Sequence, residues 1–403
     1  MRIVLLNQFF WPDAVATAQL LSDLAQSLAQ DNEVTAICSG QTGSVLGADA
    51  KFVPNVKIVR TRGFKFSHGK LGRISSYISY IAGTIWHGIR LPSADVYLTL
   101  TTPPILSAIG SGFALLRGSR HVIWEMDVYP DIASDIGYFK RGGILERCVG
   151  AVLDWSRHRA SAIIVLGEDM KKRLVARGIS EEKIHIAENW ADGDEIHPQQ
   201  LSNGPLVVEY SGNLGLAHEV DTVAAVVGRL GNHPSFRFVF AGGGPKRKQL
   251  ETRCRQQGLQ NVNFRPYCKR ADLSQSLGEG HLGLVTQLSE TVGSVVPSKI
   301  YGIMAAGRPI LYIGPKGSTP AQHIDRFNCG WHVVPGDIDR LESLLHRLNN
   351  DRQLVSEAGA RARIAFEQNF DRPIGVERIV RVIGDIRHSS ELVPKLAPSV
   401  IGN

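Results

Sequence analysis

The stretch "GSVVPSKIYGIMAAGRPILYIG", residues 293–314, reads as one short helix running straight into one strand. Ser298 stands where an N-cap belongs, and Gly307 stands where a left-handed residue ends a helix. Pro309 forbids continuation, and the apolar run over 310–314 has the length of a buried strand. One residue sits badly. A helix N-terminus is electropositive, so Lys299 costs roughly 0.3–1 kcal/mol there unless an anion offsets it. Either an anionic ligand meets Lys299, or its stem lies on apolar neighbours and carries the ammonium into water.

Strand and helix keep alternating outward from this stretch. The runs "RIVLLN" (2–7), "EVTAIC" (33–38), "VKIVRT" (57–62), "DVYLTL" (95–100), "HVIWEM" (121–126) and "AIIVLG" (162–167) are short, apolar and rich in β-branched residues. Helical periods such as "TAQLLSDLAQSLAQ" (17–30) lie between them. A second series comprises "LVVEYSG" (206–212), "FRFVFAGG" (236–243), "VNFRPY" (262–267), "LGLVTQ" (282–287), "ILYIG" (310–314) and "GWHVV" (330–334). Such alternation argues for a parallel sheet with helices on both faces. The polar, Gly/Pro-containing segment 189–206 separates the series and reads as a linker. The expected fold is therefore α/β: two Rossmann-like, doubly wound domains, 1–190 and 206–370, joined by 191–205. Residues 371–388 are expected to form a helix crossing back to the first domain, and 389–403 a disordered tail. Ligands of such sheets sit beyond the carboxyl ends of the strands, so two facing domains make a cleft.

Of the 403 residues, 43% are hydrophobic and 21% charged, ample for two cores and without low-complexity tracts. The net charge of +7 suits anionic partners: nucleotides, phosphates, an anionic membrane face or nucleic acid. The charges are dispersed, and no helix-turn-helix, zinc-finger or ribonucleoprotein motif is visible, so nucleic acid is not the expected partner. Five scattered cysteines offer neither a disulfide framework nor CxxC metal spacing, which favours reduced thiols in a cytoplasm. The N-terminus enters a strand directly, without the n- and h-regions of a signal peptide. The longest apolar stretch, 105–116, is about half a membrane span, so any membrane contact is expected to be peripheral.

Two loops look like anion cradles. "YSGNLGLAHEVD" (210–221) places Gly212 and Gly215 between a strand and a helix, and "FAGGGPKRKQLE" (240–251) sets three glycines before Lys246, Arg247 and Lys248. Unhindered backbone N–H groups at such turns approach phosphate closely. A glycine after a strand is also a plain turn requirement, so either loop alone decides little. Several facing one way in one sheet point to a nucleotide. Neither matches GxGxxG followed by an acid about 20 residues on, and no Walker A sequence occurs, so a nicotinamide cofactor is not indicated.

Two Rossmann-like halves joined by a linker resemble the GT-B architecture of glycosyltransferases. "NQFFWPDAVATAQLLSDLA" (7–25), "VLGEDMKKRLVARGI" (165–179), "KIHIAENWAD" (183–192), "YSGNLGLAHE" (210–219) and "PSKIYGIMAAGRP" (297–309) are similar to motifs of retaining family-4 glycosyltransferases. The similarity is to the branch that builds bacterial capsule, exopolysaccharide and O-antigen on lipid carriers, colanic-acid and FucNAc transferases included. It runs from Met1 to about Ile386. The resemblance implies metal-independent transfer, with retention, from a UDP- or GDP-linked nucleotide-sugar. The implied acceptor is a saccharide on a polyprenyl diphosphate lipid at the anionic inner face of the cell membrane. No cofactor is implied beyond the donor substrate.

The chain departs from that pattern in places. Members usually carry two glutamates seven residues apart across the signature helix, the second contacting the donor ribose. Here those positions are Ser294 and Gly302, which leaves Glu290 as the substitute. Where many members place Arg and Lys after the first glycine of the second domain, this chain has Asn213 and His218. The resemblance then implies diphosphate binding by Gly212, Asn213, Gly215, Lys246, Ser298 and Lys299, with Ala16 and Thr17 from the opening helix. It implies nucleoside contacts at Gly243, Tyr267, Cys268 and Glu290. Negative charge on the departing diphosphate falls to Lys299, with His218 and Lys246 beside it. Asp127, in "HVIWEMDVYPDIASDIG" (121–137), would bind donor or acceptor hydroxyls and complete a catalytic set with Lys299 and His218.

Plainer readings stand beside these. Asp127 could cap the helix after Pro130, though Asp131 fits that duty better. Glu125 and Asp127 share a strand face, as a hydrolytic carboxylate pair would. Thr17 suits an ordinary N-cap. Asp192-Gly193-Asp194 imitates an Asp-x-Asp metal site but falls in the linker, so no metal is expected; Asn189 is placed on the hinge side of the cleft. Over 64–90, Lys65, Lys70, Arg73 and Arg90 accompany Phe64, Phe66, Tyr77, Tyr80 and Trp86, while Ile74, Ile78, Ile81 and Ile85 recur at helical spacing. Such a face ordinarily packs on a sheet; the alternative is an anionic bilayer. A GT-B-fold sugar-nucleotide epimerase or hydrolase and a basic nucleic-acid-binding protein are the remaining rivals.

Overall fold

The computed structural model describes residues 1–40, 53–64 and 69–391. Lys65, Phe66, the side chain of Lys70 and the tail beyond 391 lie outside the described residues. The first lobe begins β1 (Arg2–Leu6), α1 (Ala16–Leu28), β2 (Glu33–Ser39), β3 (Val56–Thr61), α2 (Lys70–Arg90), β4 (Val96–Thr99). It continues α3 (Leu106–Arg117), β5 (Arg120–Trp124), α4 (Asp131–Asp135), α5 (Ile144–Arg159), β6 (Ala162–Val165), α6 (Glu168–Ala176) and β7 (Ile184–Ile186). The second lobe begins β8 (Leu206–Asn213), α7 (Asp221–Leu230), β9 (Phe236–Gly243), α8 (Pro245–Gln256), β10 (Val262–Arg265) and α9 (Leu273–Glu279). Then come β11 (Leu282–Thr286), α10 (Lys299–Ala305), β12 (Ile310–Ile313), α11 (Thr319–Phe327), β13 (Gly330–Val333), α12 (Ile338–Asn350), α13 (Arg352–Asn369) and α14 (Arg372–Glu391).

The strands form two sheets, ordered β3-β2-β1-β4-β5-β6-β7 and β10-β9-β8-β11-β12-β13. Each strand pairs in parallel with its neighbours. Strand interiors such as Ile3, Leu5, Leu98, Ile123 and Ile163 are fully buried, as expected where helices cover both faces. Among the described strands only β7 carries too short a run, three residues at the sheet edge, to show as a strand in the sequence. The strand order reverses between β1 and β4, and again between β8 and β11. Those are the crevices where such sheets take ligands.

The charge-poor opening stretch is explained by packing. Ile300, Tyr301 and Met304 of α10 lie in one core with Ala362, Ala365 and Phe366 of α13, so this helix is enclosed on nearly every side. Gly307 has φ +64 and ends it as a left-handed residue. The helix α14 then packs in the first lobe, with Ile379 and Ile383 in the core that holds β1 and β5. Gly375 lets it lie against Trp190, since a Cβ there would come within 2.5 Å of the indole.

The lobes also meet directly. The Val128 amide donates to the Ser294 carbonyl at 2.8 Å, and Asp127 and Val295 form an antiparallel bridge. Asp169 accepts from the Thr319 amide at 3.1 Å and from its hydroxyl at 2.7 Å. One edge of the cleft is thereby closed.

The helix α2 corrects one sequence expectation. Its isoleucine stripe does not pack on the sheet. Ser76, Tyr80, Thr84 and Gly88 face inward, and Ile74, Ile78 and Ile85 face out, with Leu71 at 84% and Trp86 at 58% exposed. Small inward residues bring the helix close to its lobe: a Cβ at Gly88 would strike the Phe113 ring at 2.3 Å. Among the described residues no helix is long and apolar enough to cross a membrane, and all five cysteines are free.

Candidate active site

Lys299 does not point into bulk water. It opens α10, and its stem passes Gly212, where a Cβ would sit 3.4 Å from Lys299 Cε. Its ammonium donates to the Tyr210 hydroxyl at 2.9 Å and lies 4.6 Å from that ring's centre. No carboxylate among the described residues pairs with it. Burial alone lowers its pKa from 10.5 to about 7. An ammonium held this way is poised for an anion, which would restore its charge.

The Tyr210 hydroxyl, which sequence reasoning missed, is the hub of this group. It donates to the Asn213 carbonyl at 2.8 Å and stands 3.4 Å from His218 Nε2. His218 Nδ1 lies 2.8 Å from the Thr286 carbonyl, which can only accept, so that nitrogen carries the proton. Burial, and then the charge of Lys299, hold the His218 pKa well below its ordinary value. The structure thus places His218 beside Tyr210 and Lys299, as a neighbour of the ammonium. Lys246 donates to the His218 carbonyl and braces the same loop.

Gly212, Gly242 and Gly244 adopt φ of +131, +120 and +110, a region that disfavours side chains. At Gly242 and Gly244 carbonyl neighbours leave no room either: a Cβ at Gly242 would lie 2.1 Å from the Gly212 oxygen and one at Gly244 2.4 Å from the Leu214 oxygen. Gly212 pairs with Gly242, and Asn213 with Gly243, at the ends of β8 and β9. The two cradles are therefore one backbone surface, with the Tyr267 ring lying against Gly243. Tyr267 is exposed and Cys268 partly so. Glu290 is exposed on the Lys246 side, where it contributes to the field at that ammonium. It does not line the interlobe cavity.

That cavity, about 220 Å³, runs from Lys299 between the lobes. Ala16 and Gln19 of α1, Trp190 of the linker, and Glu209, Ser211, Arg270, Ser298 and Gly302 of the second lobe line it. Arg270 reaches across to Gln19 at 3.1 Å. Ser298 holds the N-cap position of α10 but makes no side-chain cap bond; Val15, not Thr17, precedes α1. Thr17 is therefore neither cap nor cavity wall. Gly215 stands in the cradle loop beside Asn213, and Ser294 is buried in the seam between lobes.

Asp127 lies apart, on the seam beside Tyr77 and Tyr129, whose titration it perturbs. Burial, then the Glu125 charge, push its own pKa up to about 6. Glu125 is no partner for hydrolysis: Arg157 Nε donates to it at 2.7 Å, both groups being buried. Asp131 caps nothing; its oxygens accept from Arg173 and Arg177 at 2.9 and 3.0 Å. Asp192 accepts from Arg372 at 2.6 Å and the Gly193 amide donates to Asp371, so the Asp-x-Asp segment clamps α14. Asn189 is buried with its Oδ1 unpartnered.

Residues 192–365 match the family described as Glycosyl transferases group 1. The second lobe is a group 1 glycosyl transferase domain. The cradles, Lys299 and most of the cavity belong to this group 1 domain. Pseudomonas aeruginosa WbjE, named a probable glycosyltransferase, is 24% identical over 352 residues, covering 82% of this chain and 85% of that one. Erwinia amylovora AmsK, an amylovoran biosynthesis glycosyltransferase, is 24% identical over 226 residues, 52% of this chain and 53% of that one. Anabaena Alr3699/HepE, solved with UDP-glucose, superposes over 96% of this chain and 100% of its own at a TM-score of 0.71 and 16% identity. The fold is GT-B, the group 1 domain forming its second half.

Proposed function

We propose that this chain is a retaining, metal-independent glycosyltransferase of bacterial surface-polysaccharide synthesis. Its donor is a UDP- or GDP-linked sugar, and its acceptor is a saccharide on a polyprenyl diphosphate lipid. The observation that carries this reading is the Lys299 ammonium, without a carboxylate partner among the described residues, set against the Gly212–Gly242 backbone surface in an interlobe cleft. The named activities of WbjE and AmsK, and the UDP-glucose bound to HepE, support the same class.

Breaking the glycosyl–phosphate bond places negative charge on the leaving diphosphate. Lys299 and the backbone N–H groups of the cradle meet that charge. The Asn213 carbonyl holds the Tyr210 hydroxyl, which in turn accepts from the ammonium. The departing phosphate can take the acceptor's proton, so no protein nucleophile is required. Asp127, with its raised pKa, holds an acceptor or sugar hydroxyl at the seam. The outward face of α2, apolar along Leu71, Ile78 and Trp86 and carrying Arg90, suits the anionic inner surface of the cell membrane, where a lipid-linked acceptor would be met.

Thermal-shift screening against UDP, GDP and their sugars tests the donor class. Stabilisation by one diphosphate series, lost in Lys299→Ala while free nucleosides are unaffected, is the expected result. Equal loss for diphosphates and nucleosides refutes the role of Lys299. Turnover of the donor without an acceptor would favour the epimerase or hydrolase instead.

A further inference from the structure

We propose that Glu209 anchors the donor's ribose, accepting its hydroxyls from the floor of the cavity beneath Lys299. The assignment rests on the nucleotide-sugar reading above and names a residue that reading leaves unused.

Glu209 is the one charged residue of β8, a strand otherwise built for a core, and it is 4% exposed. Burying a carboxyl is costly unless its oxygens find donors. Here they scarcely do. Oε1 receives the Ser276 hydroxyl only at 3.4 Å, near the limit for such a bond. The Gly280 amide lies close, but no hydrogen bond of normal geometry reaches Oε2, which is left without a partner. Neighbouring guanidinium groups are occupied elsewhere: Arg308 donates to the Gln199 and Gly278 carbonyls, and Arg265 to Glu279. Burial, and then the Glu279 charge, push the Glu209 pKa up to about 7.

This unsatisfied carboxyl lines the same cavity as Lys299, on the strand face that also presents Ser211. Glu209 precedes Gly212 by three residues, about 10 Å along a strand. With the diphosphate at Lys299 and the Gly212 loop, the next unit of the ligand down the cavity is the ribose. Its vicinal hydroxyls are the first donors the carboxyl meets, and Leu273 and Leu277 on the wall are apolar. Gly302 faces the same space from α10 and has room for a side chain: a Cβ there would meet Leu277 and Ile196 at 3.6 and 4.0 Å, ordinary contacts.

Calorimetric titration of UDP and GDP, each against its 2′,3′-dideoxy analogue, tests the assignment. Wild-type protein should prefer the ribonucleotide about tenfold. Glu209→Leu should fold with an unchanged or higher melting temperature and lose that preference. Glu209→Leu with Gly302→Glu, which moves the carboxylate to the opposite wall, should recover part of it. An unchanged preference in Glu209→Leu overturns the role of Glu209 while leaving the nucleotide reading intact. Equal weakening of ribo and dideoxy ligands shows a structural role and also overturns it. Failure of wild-type protein to bind either diphosphate removes the donor reading, and the ribose assignment falls with it.

Discussion

Raising the pH from about 6.5 to about 9 should weaken binding of an intact nucleotide-sugar through Lys299. The group's ordinary pKa of 10.5 falls to about 7 in the folded protein because the ammonium is desolvated. A bound anion stabilises the ammonium, so the pKa rises on binding and a proton is taken up. Affinity is then full below about pH 7 and declines about tenfold per pH unit above it, toward the pKa of the complex. The total loss is capped by the worth of a charge-assisted hydrogen bond, about 1.5–3 kcal/mol, or roughly 10- to 150-fold. The diphosphate of a nucleotide-sugar is esterified at both ends and keeps its charge over this range, so the slope belongs to the protein. Calorimetry in buffers of different ionisation enthalpy reads both affinity and proton uptake. Lys299→Arg should flatten the profile; Lys299→Met should give weak, pH-independent binding. The same Met variant should be more stable. Because the folded pKa of this base is depressed, the ammonium destabilises the fold at every pH below 10.5, increasingly down to about 7 and constantly below that. The shift corresponds to about 5 kcal/mol, roughly halved by the cleft-side solvent that Lys299 still touches. A gain of a few degrees in melting temperature at pH 7, shrinking toward pH 10, is the expected sign. Wild-type affinity that is flat with pH, or a Met variant that binds as wild type does, would refute this account.

Other substitutions test the surroundings. Gly242→Ala forces a Cβ to within 2.1 Å of the Gly212 oxygen at φ +120; it should cost about 1–3 kcal/mol in thermal unfolding and weaken nucleotide binding. If both measurements stay at wild-type values, the shared cradle is wrong. Arg157→Leu strands the buried Glu125 and should cost about 3–5 kcal/mol, most of which Glu125→Leu recovers in the double variant. A double variant no better than the single one would exclude that pairing. Ile78→Ser with Trp86→Ser should abolish flotation with anionic vesicles at low salt and leave the melting temperature unchanged, since both side chains lie outside the core. Undiminished flotation would move the membrane surface away from α2.

The site was legible in part. Gly212, Gly243, Lys246 and Lys299 were visible because glycines after strands and a cation at a helix start are local signals. Glu209 was not singled out: an acid within an apolar strand run gives no local sign of what it faces. Tyr210 gave no signal: its importance lies in meeting Lys299, 89 residues away in sequence. The α2 stripe was seen at the right spacing but assigned inward, because periodicity reports that a face is apolar and not which neighbour covers it.

Alternating strand and helix patterns, with glycine and proline at their ends, determined by themselves that this chain forms parallel α/β sheets. Those preferences act over a few residues and need no distant partner. Only the tertiary structure decided the protonation of His218, the depressed pKa of Lys299, the capture of Glu125 by Arg157 and the return of α14 to the first lobe. Each of these depends on burial and on charges contributed by segments far apart in the chain, and desolvation is a property of the assembled fold rather than of any stretch within it.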